Sequence, residues 1–277
     1  MDAATGATAW TFDLVDDASV VNALISIKQG SCVFADTDGN IYRIDLKTGQ
    51  PIWRAKGKTD HAPNIGSAII DPQQDVVYST WNEVGWEINK FTLSGKVGAF
   101  NFTTGQQLWR YSCQYPTNGP PAVGVVGRGP QAQYLLVVPS GMAPSSPDPS
   151  MGVFAGQGEQ HMSRITLLHV VGPAAGTHRI WIDLKPWNGA AKGDDERPDP
   201  CLPKMALSGP TLSGDGSIYL GHMNGELLTI HDANEDGWIG RDEIGTFQTG
   251  AAFNAAPVIT PGMVLAAPCD GVHVWKF

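Results

Sequence analysis

Residues 231–244 read HDANEDGWIGRDEI, with oxygen-bearing side chains at alternating positions. A hard cation such as calcium takes roughly six to eight oxygen ligands, and a loop of about twelve residues can deliver them from positions one, three, five, seven and twelve. Counted from Asp232, those positions are Asp232, Asn234, Asp236, the Trp238 carbonyl and Glu243. Gly237 at position six permits the sharp turn, and Ile239 at position eight is an apolar anchor. Gly240 at position nine has no side-chain oxygen, so a water serves there. The expected chemistry is calcium binding; the plain alternative is an acidic exposed turn. A second acidic stretch, DTDGN (36–40), is too short for this role and reads as an Asp-Gly hairpin turn.

The elements around the loop are strands. SIYLGHMNGELLTI (217–230) alternates as two β-strands, so the loop is an insertion in a hairpin. The chain has 277 residues, 33 glycines, 20 prolines and only 16% charged residues, which suits a turn-rich β-protein. The net charge of -9, without a Lys/Arg cluster, argues against nucleic acid and against a basic membrane-binding face. No apolar run approaches the roughly 18 residues of a membrane span. The N-terminus MDAATGATAW has neither the basic end nor the apolar stretch of a signal peptide.

Repeats set the architecture. GNIYRIDLKTGQPIW (39–53) and GKVGAFNFTTGQQLW (95–109) share a strand, a Thr-Gly turn and a Trp four residues after the glycine. SRITLLHVVGPAAGTHRIW (163–181) is a weaker copy with one extra residue before Trp181. Pairs of further strands precede these hairpins, and five such pairs can be read along the chain. The expectation is one all-β domain, 1–277: a β-propeller of four-stranded antiparallel blades, most simply five. GVHVWKF at the C-terminus lacks a fourth strand, and DAATGATAW at the N-terminus lacks a third. Joined, they nearly make a repeat hairpin, so the ring is expected to close by the N-terminal strand completing the last blade. The rival reading is a section of a longer propeller.

The D-x-x-T-G-x-x-x-W signature occurs at Asp2/Thr5/Gly6/Trp10 and Asp45/Thr48/Gly49/Trp53, with Asn101 in place of Asp before Thr104/Gly105/Trp109. It resembles the pyrroloquinoline-quinone-type propeller repeat. The resemblance implies Trp side chains that dock between neighbouring blades. It also spans quinone-dependent dehydrogenases and non-catalytic scaffolds. The acidic loop likewise resembles an EF-hand loop, here without its two flanking helices and without a second copy. That makes it a structural staple rather than a calcium switch. In the quinone dehydrogenases an adjacent Cys-Cys pair packs against the cofactor, and a calcium beside the quinone assists an Asp base. Here Cys32, Cys113, Cys201 and Cys269 are all separate. Cys32 and Cys269 read as buried small residues; Cys113 and Cys201 flank loops and can pair in an oxidising compartment.

Propeller geometry assigns the long stretches 82–95, 140–163 and 185–206 to one face and the acidic loop to the other. Loops on a rigid scaffold carry function. The candidate binding residues are therefore Trp86, Glu87, Lys90, Glu159, His161, Trp187, Asp194, Asp195, Glu196 and Arg197, with Asp60 and His61 on the same rim. Each also has the plain reading of a solvated loop residue, while a loop Trp either packs down as a lid or offers a stacking surface. No nucleophile elbow, phosphate loop or HExxH occurs. The reading is a calcium-stabilised, non-catalytic binding or assembly module in an extracytoplasmic setting, with a protein or glycan partner. The alternative is a quinone-dependent oxidoreductase using pyrroloquinoline quinone, or a fragment of one. A polysaccharide-cleaving enzyme using Glu87 and Glu159 is third. Asn101, in the sequon NFT, falls on a predicted strand.

Overall fold

The computed structural model describes residues 4–14, 24–56, 67–87, 90–117, 119–141, 162–187, 206–253 and 255–276. The architecture is an all-β propeller arrangement of antiparallel sheets in chain order. The first blade is β1 (Ser26–Lys28), β2 (Ser31–Ala35), β3 (Asn40–Asp45) and β4 (Pro51–Lys56). The second is β5 (Ala68–Ile70), β6 (Val76–Glu87), β7 (Lys90–Asn101) and β8 (Gln107–Ser112). The third is β9 (Ala122–Val126), β10 (Gln133–Gly141), β11 (Ser163–His169) and β12 (His178–Asp183). The fourth is β13 (Thr211–Leu212), β14 (Ile218–Gly221), β15 (Glu226–Ile230) and β16 (Ile244–Gln248). The fifth has three strands among the described residues: β17 (Val258–Thr260), β18 (Met263–Ala266) and β19 (His273–Lys276).

Alternation along the strands gives each blade two apolar faces, because side chains at i and i+2 share a face. The core is therefore a series of seams. Val33, Ile41 and Ala35 meet Val77, Trp81 and Phe100 between blades one and two. Tyr78, Val97 and Ala99 meet Leu136, Val138 and Leu168 between two and three. Leu135, Ile165 and Leu167 meet Ile218, Leu220 and Leu228 between three and four.

The repeat motif has a physical explanation at these seams. Asp45 Oδ1 accepts the Lys47 and Thr48 amides and the Thr48 hydroxyl, folding the chain back after β3. Asn101 Oδ1 does the same for Thr104. The following glycine takes φ +72 at Gly49 and +74 at Gly105, a left-handed conformation costly for other residues. Its missing side chain is the seat for the Trp of the preceding blade. A Cβ at position 105 would lie 2.8 Å from the Trp53 ring, and one at position 49 would lie 2.7 Å from Trp10. The indole Nε1 groups of Trp53 and Trp10 donate to the Phe102 and Leu46 carbonyls, at 2.8 and 2.9 Å. Trp109 packs in the same manner on Gly176. In the Asn101 sequon the side chain is engaged in this turn, and its Nδ2 also donates to Asp75.

Trp181 departs from this pattern. The ladder skips one residue before the docking position in each of the first three blades: Pro51 to Trp53, Gln107 to Trp109, His178 to Ile180. Ile180, not Trp181, therefore fills the slot towards the fourth blade, where it is buried. Trp181 lies on the opposite side of β12, 48% exposed, and its Nε1 donates to the Tyr111 hydroxyl of blade two.

At the N-terminal end, Trp10, Phe12 and Leu14 pack on Cys32, Tyr42 and Ile44 of blade one. The segment thus stands against blade one as β4 stands against blade two. A ladder between this segment and β19, expected from ring closure, is not among the pairings of the described residues.

Candidate functional site

The turns between first and second and between third and fourth strands lie at one end of the blades. The second-to-third and inter-blade connections lie at the other, the looped face. Stretch 82–95 belongs to the looped face but is no loop. β6 and β7 pair continuously from Val76↔Asn101 to Glu87↔Lys90. Their neighbours stop earlier, β8 at Ser112 opposite Lys96 and β5 at Ala68 opposite Ser79. Residues 113–117 still bond to Gly95 and Asn82, so the last five residue pairs, Glu83↔Ser94 to Glu87↔Lys90, form a two-stranded arm of about 17 Å. Trp86 pairs with Phe91 and Val84 with Leu93 within it, and Glu87 and Lys90 close it. At its root Glu83 accepts the Trp81 indole at 3.3 Å, and it pairs with Arg110 at 2.6 Å and Lys96 at 3.9 Å.

Of the two roles expected of a loop Trp, Trp187 takes the packed one. It is 7% exposed, inside the core between blades three and four, so it offers no stacking surface. Its ring stands edge-on to His222, with centroids 4.4 Å apart. The candidates Asp60, His61, Glu159, His161, Asp194, Asp195, Glu196 and Arg197 lie outside the described residues.

His222 lies in none of the motifs that the sequence displays. It is 1% exposed and sits 3.1 Å from Ser163 Oγ through Nε2. Its Nδ1 accepts the Asn224 amide at 3.0 Å. The ring proton therefore resides on Nε2 and is donated to Ser163, the reverse of what a base activating a serine must do. Burial pushes the imidazole pKa down to about 4, partly offset by the Asn224 side chain. A histidine and a serine far apart in sequence give no local signal of such a pair.

On the opposite end, the acidic loop folds on itself. Asp232 Oδ2 takes the Gly237 amide at 3.0 Å, and Asp236 Oδ1 takes the Trp238 amide at 2.7 Å. Glu243 caps the Ala233 and Gly240 amides at 2.8 and 2.7 Å. These bonds, Gly240 first, hold the Glu243 carboxyl below its ordinary pKa. The oxygens are of the right kind for calcium, but no cluster of three or more His, Cys, Asp or Glu capable of holding a metal forms among the described residues. The loop also replaces the Thr-Gly seat of blade four. Arg179 of β12 donates to the Gly237 carbonyl at 3.1 Å and stacks on Trp238 at 4.4 Å.

The cysteines correct the expected pairing. Cys113 is free and buried, its thiol pushed up to about 12 by burial, and Cys32 is also free and buried. Cys269, read as a buried small residue, is disulfide-bonded. No two cysteines are adjacent in this sequence.

Comparison with known proteins agrees with the repeat. A family model described as "Outer membrane protein assembly factor BamB" matches residues 1–127. "Quinohemoprotein alcohol dehydrogenase ADH-IIG" of Pseudomonas putida is 24% identical over 206 residues, covering 70% of this chain and 26% of that protein. Both matches support the pyrroloquinoline-quinone-type repeat family. The chain thus spans about a quarter of that curated relative. Among solved structures, a europium-containing methanol dehydrogenase aligns with TM-score 0.47 and 18% identity, over 92% of this chain and 49% of that one. BamB from Moraxella catarrhalis aligns with TM-score 0.32 and 14% identity, over 97% and 88%.

Proposed function

We propose that the chain is a non-catalytic binding or assembly module whose protein partner docks on the looped face. The β6–β7 arm carries this reading. A two-stranded ribbon is marginal by itself and gains stability by packing against something else. This one extends past its own sheet, with apolar residues at paired positions: Val84 with Leu93, Trp86 with Phe91. It also falls within the 127 residues that match the assembly-factor model. A photocrosslinking amino acid at position 86, in cells of the source organism, is expected to give discrete protein adducts. The same probe at position 238, on the opposite end, is expected to give none. Equal labelling at both positions would count against a directed docking face.

The acidic loop is proposed to hold calcium through Asp232, Asn234, Asp236, the Trp238 carbonyl and Glu243. Binding requires Glu243 to leave the amides that it now caps. Calcium at about a hundred times its Kd is expected to add about 2.7 kcal/mol of stability by linkage. Glu243→Gln should abolish the gain, and a chelator should reverse it. Absence of any calcium-dependent rise in the thermal midpoint would remove the metal from the account.

The second reading is a quinone-dependent oxidoreductase, or part of one, favoured by the dehydrogenase match over 206 residues. Against it stands the missing adjacent cysteine pair. An extracytoplasmic setting is proposed on the disulfide at Cys269, since such bonds persist in oxidising compartments.

A further inference from the structure

The two longest connections of the looped face have their roots at one buried histidine. Ser163 begins β11 at the end of the connection from β10, and its hydroxyl receives the His222 Nε2 proton at 3.1 Å. Trp187 precedes the long connection between blades three and four, and its ring meets the imidazole at 4.4 Å. Leu207 follows that connection and pairs with His222 in an antiparallel bridge, flanked by the Met223 amide on the Ala206 carbonyl at 3.0 Å. Ser163, Leu207 and His222 are each 2% exposed or less, and Trp187 is 7% exposed. A buried polar group is tolerated only when it is satisfied, so the imidazole must keep both bonds.

We infer that neutral His222 is the pin holding these three roots in register, and that its protonation releases them together. A second ring proton would sit on Nδ1 and face the Asn224 amide, donor against donor. No described charge is placed to offset it. On its own hairpin, the Glu226 carboxylate accepts from the Asn224 side chain, and no hydrogen bond or ion pair joins it to the imidazole among the described residues. On β11, the Arg164 guanidinium is paired with Asp183 of β12. Segments 184–187 and 206–208 contribute only Lys185, which is exposed. The charged ring must therefore leave its place or unfold the turn, and Ser163 and Trp187 lose their contact either way. This inference stands independently of the docking and calcium readings.

The test is a pH titration of the full chain, labelled with nitrogen-15 and followed by NMR. The expected result is a His222 ring in the Nε2–H form at neutral pH, titrating well below an ordinary histidine. The Trp187 indole and the Ser163 and Leu207 amides should move with the same midpoint. In His222→Gln, which cannot titrate, those three signals should stay flat between pH 7 and pH 4. A His222 titration that leaves the three roots unmoved would overturn the inference, as would roots that still shift in the variant. The wild-type comparison decides the question even where the variant is too unstable to purify.

Discussion

Trp53→Ala is expected to destabilise the fold by about 3 kcal/mol, within the range for losing a large packed aromatic. The indole is half-buried, spans a seam, donates to the Phe102 carbonyl and lies on bare Gly105. Denaturant titration measures the loss. Leu108→Ala is the control: Leu108 adjoins the docking position of the next blade but is 50% exposed, so its loss should stay within about 0.5 kcal/mol. Gly105→Ala should cost about 2–3 kcal/mol, since it combines a left-handed φ with a clash against the indole. In the Trp53→Ala background only the conformational part, about 1–2 kcal/mol, should remain. Strict additivity of the two substitutions would show that the Trp does not seat on the glycine.

The second large effect is a pH dependence of stability. His222 has its folded pKa lowered from 6.5 to about 4. Between those values the unfolded chain binds the extra proton, so stability falls as the pH drops from about 6.5 to about 4. Above that window the contribution is fully present. At about 1.36 kcal/mol per unit, the loss is at most about 3 kcal/mol. Urea unfolding of the wild-type chain and of His222→Gln at pH 7 and pH 4.5 separates this from general acid effects. The variant should lose distinctly less than the wild type on acidification. Equal losses would assign the acid sensitivity to other groups.

The fold was legible because its cause is local. The Asx turn at Asp45 and Asn101, the left-handed glycine and the Trp four residues later all lie within nine residues. Where the copy is imperfect, the docked residue is not the Trp. The third hairpin has a longer turn, and the same one-residue skip in its ladder brings Ile180 into the slot while turning Trp181 away. The alternation of Ile180, Trp181 and Ile182 contains that answer, since the two isoleucines must share a face. The arm was likewise visible as alternation in Val84, Trp86, Phe91 and Leu93, although its length suggested a loop. The burial of Trp187 against His222 and the Ser163–His222 pair join residues distant in sequence. No local pattern encodes them. For the acidic loop the turn chemistry was legible, but the sequence could not show that its carboxylates would cap amides.

A propeller that works as the proposed docking module has no need of a redox cofactor. The most direct measurement is to incubate the purified chain with pyrroloquinoline quinone and calcium, desalt it and record the absorption spectrum. The expected spectrum is that of protein alone. Retention of about one equivalent of quinone would contradict it and make the chain a cofactor-binding oxidoreductase scaffold.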